Sequence, residues 1–212
     1  MAAYFRRVLL GAFAVIPALA LSPIAIPAVA YAAAPSATAA QGFIKQSGAK
    51  LVSIINGPGS SDQKAADLRS LVNNIVAVDQ IGKFVLGRYW RVATPSQRSQ
   101  YMSLFHQTLA YNITTQIRAY KGVTFTVGRV SSGPEGEMVS TVVTRQDQSP
   151  AHVQWVVETV GGEPKIVDVV VEGTSLRVTE RADYSSVIDD HGGQVTALLD
   201  AMKQQLSRMQ AG

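Results

Sequence analysis

The chain has 212 residues, a formal net charge of +4 and no cysteine. The absence of cysteine excludes disulfides, thiolate metal sites, cysteine nucleophiles and the attachment of lipid to a cysteine. A chain of this length forms one domain by default, and it is long enough to fold through apolar burial alone.

The first 34 residues have the pattern of a secretory signal peptide. Arg6 and Arg7 precede an uninterrupted apolar run over residues 8–21, and small residues with the spacing of a cleavage site follow at 28–34. A membrane anchor is the alternative, but three prolines interrupt the apolar stretch, whereas a spanning helix needs about 20 continuous apolar residues. We therefore predict export, with cleavage between residues 30 and 34.

Cleavage would also change the electrostatic balance of the chain. It removes two of the 19 basic residues and no acidic one, which leaves 17 basic against 15 acidic residues and a net charge of +2. So small an excess does not support a broad surface for nucleic acid. We therefore predict no nucleic-acid partner.

The pattern up to residue 90 predicts a leader and three helices. Residues 35–40 are small and form the predicted leader, and helical apolar spacing begins at Gln41 and ends at the turn 56–59. A second helix is predicted from Ser61. Asp79 can cap a short third helix.

A fourth, long helix has the clearest start signal. Thr94 can accept a hydrogen bond from an unpaired N–H group, Pro95 suits the first helical position, and Gln97 completes a capping box. The helix is predicted to run to about Tyr120.

After Gly122 the apolar period changes from 3.6 to 2, which is typical of strands. Four strands separated by Gly and Pro turns predict an antiparallel meander: residues 123–127, 139–143, 153–157 and 165–171. A last amphipathic helix is predicted from Val195 to about Met209. Helices followed by strands favour an α+β domain, with a helical bundle packed on one face of a twisted antiparallel sheet of four or more strands.

The apolar stripe of the long helix is predicted to face the apolar side of this sheet. Apolar stripes of this kind usually form a solid core, but periodicity does not distinguish a solid core from one left hollow for a ligand. Candidate lining residues come from both sides of this interface and from the short helix and loop segments near it: Phe84, Val85, Trp90, Phe105, Leu109, Ile113, Ile117, Phe125, Trp155, Val157, Val169 and Leu176.

The chain contains little that indicates catalysis. None of its three histidines has the spacing of a metal-ligand pair, and there is no nucleophile elbow, P-loop or dinucleotide fingerprint. Asp168 and Glu172 lie about 13 Å apart along one strand, too far to act as a carboxylate pair. We predict no catalytic residue, metal or cofactor; the alternative is a small isomerase or hydrolase with Asp168 as base and His106 or Tyr101 as acid.

Two blocks resemble the MlaC family of periplasmic phospholipid carriers, also called the toluene-tolerance family. The first is VDQIGKFVLGRYWRVATPSQRSQYMSLFHQTLAYNI at 78–113, and the second is DVVVEGTSLRVTERADYSSVI at 168–188. The resemblance extends more loosely over residues 41–208. It places a single lipid-binding domain at 41–210, with the apolar interior as a pocket for acyl tails.

The resemblance implies a carrier that takes phospholipid across the periplasm and so maintains outer-membrane lipid asymmetry. Its partners would be an outer-membrane lipoprotein–porin complex and the lipid-binding subunit of an inner-membrane ABC transporter. Arg88 and Arg91 in the first block are candidates for the head-group phosphate, because arginine binds phosphate through two N–H groups; interaction with the end of a helix is the alternative. A related cargo, a hopanoid or other polycyclic lipid, fits the same residues.

Overall fold

The computed structural model describes residues 34–115, 122–145 and 148–211, so the predicted signal peptide lies outside the described residues. No helix in these ranges combines the length and apolar character needed to cross a membrane. The helices are α1 (Ala37–Asn56), α2 (Ser61–Ile75), α3 (Val78–Leu86), α4 (Tyr89–Val92), α5 (Pro95–Thr115), α6 (Leu176–Asp190) and α7 (Val195–Ala211). The strands are β1 (Thr124–Gly133), β2 (Gly136–Thr144), β3 (Ala151–Val160), β4 (Glu163–Val171) and β5 (Thr174–Ser175).

Side-chain capping explains where α5 and α1 begin, whereas α3 starts at Val78 without a side-chain cap, because the predicted cap Asp79 lies inside its first turn. The capping box before α5 is confirmed, because Gln97 N donates to Thr94 Oγ1 at 3.2 Å and Thr94 N donates to Gln97 Oε1 at 2.9 Å. α1 begins before the predicted Gln41, since Ser36 Oγ accepts from Ala39 N and caps the alanine-rich start. Residues 37–40 of the predicted leader are therefore the first turn of α1.

The sheet confirms the predicted antiparallel meander, with strand order β1-β2-β3-β4-β5. β5 was not predicted; it follows a two-residue turn in which Glu172 and Gly173 have φ of 48° and 82°. Both central residues of such a hairpin turn need positive φ, which glycine adopts freely. On the same edge of β4, Ala77 N donates to the Ile166 carbonyl, so β4 is bordered by two separate segments.

The inner face of the sheet is covered by α1, and not by α5 as the sequence pattern predicts. Ala40 and Ile44 are buried against Val139 and Val157. Small residues let α1 approach closely, since a Cβ on Gly48 would lie 2.3 Å from the Phe125 ring. α5 instead packs on α7 and α2. An apolar stripe shows that one side of a helix is buried, but it does not identify the element that covers it.

α5 belongs to a second apolar region formed by helices. Tyr101 is fully buried there, donates to the Gly82 carbonyl at 2.9 Å, and meets Tyr184 edge-on with ring centroids 6.2 Å apart. Burial, reinforced by the Glu180 carboxylate, raises the pKa of both tyrosines. Both rings are therefore neutral core residues, and Tyr101 already has a backbone partner for its hydroxyl.

Because α1 lies so close to the sheet, adding one methyl group at their contact should destabilise the fold. We expect Gly48→Ala to lower the free energy of unfolding by about 1–3 kcal/mol, because the new Cβ overlaps the Phe125 ring. Gly42→Ala is the matched control: it lies in the same helix with no atom within 4 Å of a new Cβ. It should raise stability by about 0.5–1 kcal/mol. Urea unfolding of both variants measures the difference, and equal effects at both positions would contradict this packing.

Candidate functional site

Two apolar clusters are the candidates for an internal binding site. The sheet cluster has a buried centre and a half-buried margin: Ala40, Ile44, Val139, Val157 and Ile166, with Phe43, Ile75, Val76, Phe125, Val127, Val130, Trp155 and Val169. The helical cluster is formed by α3–α7 and has Tyr101, Ile188, Leu198, Leu199 and Met202 among its most buried members. Val76, just after α2, packs against both clusters.

The predicted lining residues divide between these clusters. Four lie in the sheet cluster: Phe125, Trp155, Val157 and Val169. Five lie in the helical cluster: Phe84, Val85, Trp90, Phe105 and Leu109. The side chain of Ile113 and all of Ile117 lie outside the described residues. Leu176 begins α6 and is 50% exposed, so the structure does not bring it together with the others.

Trp155 is the largest apolar side chain at the half-buried margin of the sheet cluster. Its Nε1 donates to Thr141 Oγ1 at 2.9 Å, and that hydroxyl donates to the Val153 carbonyl at 3.1 Å. The single polar atom of the indole is thus satisfied within the sheet, which leaves the ring free to contact apolar groups. The sequence pattern predicted Trp155 but not its partner Thr141, which the alternation of β2 places on the same face.

A cleft lies between α2 and α5 and has a volume of about 200 Å³. Its walls combine apolar and polar side chains: Arg69, Val72, Asn73, Val78, His106, Gln107, Leu109 and Ala110. His106 lies 2.8 Å from Asp79 Oδ1, and this contact ties α5 to the first turn of α3. Leu109 lines the cleft and also packs against the helical cluster, so the cleft reaches the apolar interior.

A second groove, of about 320 Å³, lies on the outer face of the sheet. Thr126, Ser140, Gln154 and Glu172 are among its lining residues, and its side chains are largely polar. The Glu172 carboxylate accepts from His152 N at 2.8 Å and fixes one end of the groove. This face is the opposite of the one that α1 covers, so the groove is separate from the apolar clusters.

Of the two predicted phosphate ligands, Arg88 is engaged within the protein. Its Nη2 lies 2.5 Å from Asp189 Oδ1 and 2.8 Å from the Tyr89 hydroxyl, which also donates to Asp189. The hydrogen bond from Tyr89 lowers the pKa of Asp189, and the contact of Arg88 with Tyr89 and Asp189 raises the pKa of Arg88. A phosphate on Arg88 would have to displace Asp189. Arg91 is exposed and has no ion pair among the described residues.

The two sequence blocks meet in a buried ionic network that the sequence pattern did not reveal. Asp168 on β4 is 3% exposed and accepts from Ser175 Oγ at 2.5 Å and Arg177 N at 3.2 Å. Arg177 Nε lies 3.4 Å from the same carboxylate, and its Nη2 binds Glu135 in the β1–β2 turn. The guanidinium carbon stacks 4.3 Å from the centroid of the Phe84 ring. The network therefore connects β4, α6, the β1–β2 turn and α3.

This network predicts a large loss of stability when one charge is removed. We expect Asp168→Asn to lower the free energy of unfolding by about 3 kcal/mol, because Arg177 loses its only buried carboxylate partner among the described residues and keeps the half-exposed Glu135. Asp189→Asn, which removes one partner of the exposed Arg88 pair, is the matched control and should change stability little. Urea unfolding distinguishes the two, and a neutral Asp168→Asn would show that the pair does not stabilise the fold.

Comparison with known proteins agrees with this architecture. A toluene tolerance protein, ttg2D of Pseudomonas putida, is 23% identical over 144 residues, which is 66% of each chain, so the chain spans about two thirds of that relative. The structure of a phospholipid-binding protein from Ralstonia solanacearum, solved in complex with a phospholipid, matches with a TM-score of 0.71 at 19% identity and covers 80% of this chain and 98% of that one. It confirms the α+β fold. The model of the MlaC protein family matches residues 45–204, and the chain belongs to that family.

Proposed function

We propose that this protein is a periplasmic carrier that binds a phospholipid with its acyl tails inside the domain and shuttles it between membrane complexes. The observation that carries the proposal is the family match over residues 45–204, together with a fold shared with a phospholipid-bound protein. Burial of one methylene is worth about 0.8 kcal/mol, so two tails of about 30 methylenes gain over 20 kcal/mol on leaving water. A carrier must therefore offer an apolar interior that competes with the bilayer.

The proposed tail pocket lies between the sheet cluster and the helical cluster, on either side of Val76. Trp155, Val169 and Phe125 would line its sheet side, and Leu109 its helical side, because these side chains are half-buried in the structure. Leu176 is left out of this pocket, since half of its surface faces solvent.

The α2–α5 cleft is the proposed mouth of this pocket. Val72 lines the cleft and Ile75, one turn later on α2, packs in the sheet cluster, so one helix connects the two places. The cleft is smaller than the roughly 300–1,000 Å³ of typical small-molecule pockets. Loading would therefore require α2 and α5 to separate. Arg69, Asn73 and Gln107 at the rim supply polar groups for the head group.

The proposed partners follow from the family resemblance. Lipid would be exchanged with an outer-membrane lipoprotein–porin complex and with the lipid-binding subunit of an inner-membrane ABC transporter, and this exchange would maintain outer-membrane lipid asymmetry. Net transport of lipid in one direction requires energy from a partner, because a carrier with equal access to two membranes only equilibrates the lipid between them.

The Asp168 carboxylate is already engaged in hydrogen bonds within the protein, which supports a carrier in preference to an enzyme. Its oxygens accept hydrogen bonds from Ser175 and Arg177, while Tyr101 donates to a backbone carbonyl and His106 contacts Asp79. The candidate base and the two candidate acids thus have separate structural partners. A general base must reach the proton that it removes.

Organic extraction of the purified, exported protein tests the cargo. We expect about one diacyl phospholipid per protein by mass spectrometry, because the tails gain free energy in the apolar interior. A polycyclic lipid in the extract would instead identify a hopanoid-type carrier. If no lipid is recovered and none can be loaded from vesicles, the proposal is wrong.

A pair of substitutions tests the position of the pocket. Leu109→Arg should abolish loading of phospholipid, because it places a charge where the cleft meets the helical cluster. Leu176→Arg makes the same chemical change at a half-exposed position and should leave loading unchanged. Lipid phosphate per protein is the measurement, with circular dichroism to verify folding. Normal loading in Leu109→Arg would show that α5 does not line the pocket.

A further inference from the structure

A basic patch surrounds Trp90 on the surface formed by α3, α4 and the start of α5. The patch consists of Lys83, Trp90, Arg91, Val92 and Arg98. Lys83 Nζ lies 5.7 Å from the Trp90 ring centroid, and the guanidinium carbon of Arg98 lies 5.4 Å from it. Arg98 Nη2 also donates to the Arg91 carbonyl at 3.1 Å. Contacts with one indole ring therefore bring cations from α3 and α5 together beside α4, which carries Arg91.

The charge of this patch is not neutralised by the protein. Within the described residues, Lys83, Arg91 and Arg98 form no ion pair with a carboxylate. The two nearby aspartates have other partners, since Asp79 contacts His106 and Asp189 pairs with Arg88. Three positive charges thus remain available to an external anion.

The patch also presents apolar surface to solvent. Val92 ends α4 with 70% of its surface exposed, and Trp90 beside it is half-buried. An exposed aliphatic side chain next to an indole and long basic side chains is the combination found at membrane interfaces. Lysine and arginine can extend their charges to the head groups while their apolar stems cover hydrocarbon.

We propose that the basic patch docks the protein on the anionic phospholipid head groups of a bilayer surface. An acidic protein surface would match Lys83, Arg91 and Arg98, but it would leave Val92 in a polar contact. An anionic bilayer satisfies both features, because phosphates lie directly above hydrocarbon. The proposal goes beyond the internal cargo site, since docking uses exposed residues and does not require a loaded lipid.

Docking through this patch has a defined dependence on charge. Each basic residue near an anionic surface contributes a roughly fivefold gain in partitioning, and salt weakens it as the Debye length falls from about 10 Å at 0.1 M toward 3 Å at 1 M. Binding should therefore occur at low salt and be lost at high salt. Vesicles without anionic lipid should not bind the protein.

Sedimentation with vesicles tests the proposal directly. The probe is equal parts phosphatidylglycerol and phosphatidylcholine, with pure phosphatidylcholine as the neutral comparison. We expect Lys83→Gln with Arg91→Gln to weaken partitioning about 30-fold. Lys45→Gln with Lys50→Gln removes the same charge from exposed positions on α1 and should weaken it by no more than about threefold.

A second pair of variants isolates the apolar contribution. Val92→Ser should weaken partitioning about fivefold, whereas Val178→Ser, at an exposed valine on α6, should have no effect. All six positions are exposed, so these changes leave the core intact.

Three results would overturn the proposal: no binding to anionic vesicles at low salt, equal binding to neutral vesicles, or equal losses in the patch and control variants. Extraction of the internal lipid is measured separately, so the cargo proposal can fail while docking holds, and the reverse.

Discussion

The ion pair between Asp168 and Arg177 is the constraint on which the arrangement of this protein depends. It lies where the sheet meets the helices, and both side chains are nearly removed from water. Two charges are buried at least cost when each compensates the other and hydrogen bonds satisfy their polar atoms. Ser175 and Glu135 provide such contacts and the Phe84 ring stacks on the guanidinium, whereas Arg177 Nε makes only the 3.4 Å ionic contact with Asp168 and has no hydrogen-bond partner among the described residues. Sheet and helices thereby meet in one relative orientation, although their apolar clusters are largely separate.

This network also explains why part of the fold could not be predicted from the sequence. Strands β1–β4 and the start of α5 were predicted because apolar period and capping are local signals, as at Thr94 and Gln97. α6 was not predicted, since its first turn exposes Leu176 and Val178 and buries Arg177. That order is the reverse of ordinary amphipathic helices. The burial of Arg177 depends on Asp168, on a neighbouring strand, and on Glu135, which lies 42 residues away in sequence.

For the candidate site, too, the sequence predicted which faces are buried but not which elements pack against them. Nine of the predicted lining residues lie in the two apolar clusters, because buried faces follow from periodicity. Their separation into two groups was not predictable, since it depends on α1 occupying the inner face of the sheet. The close contact of Gly48 with Phe125 makes that arrangement possible. The partner of Arg88 was equally hidden, because Asp189 lies 101 residues away.

The two edges of the sheet are protected against pairing with strands of other molecules. β4 has no open side where Ala77 and β5 border it, so strand addition by a second molecule is blocked there. β1 is the other outer strand, and its register shifts between Val127 and Val130, which breaks a continuous ladder. Within that interruption, the Gln41 side-chain amide donates to the Gly128 carbonyl. These features hinder edge-to-edge aggregation in a chain that has no disulfide to hold its strands in place.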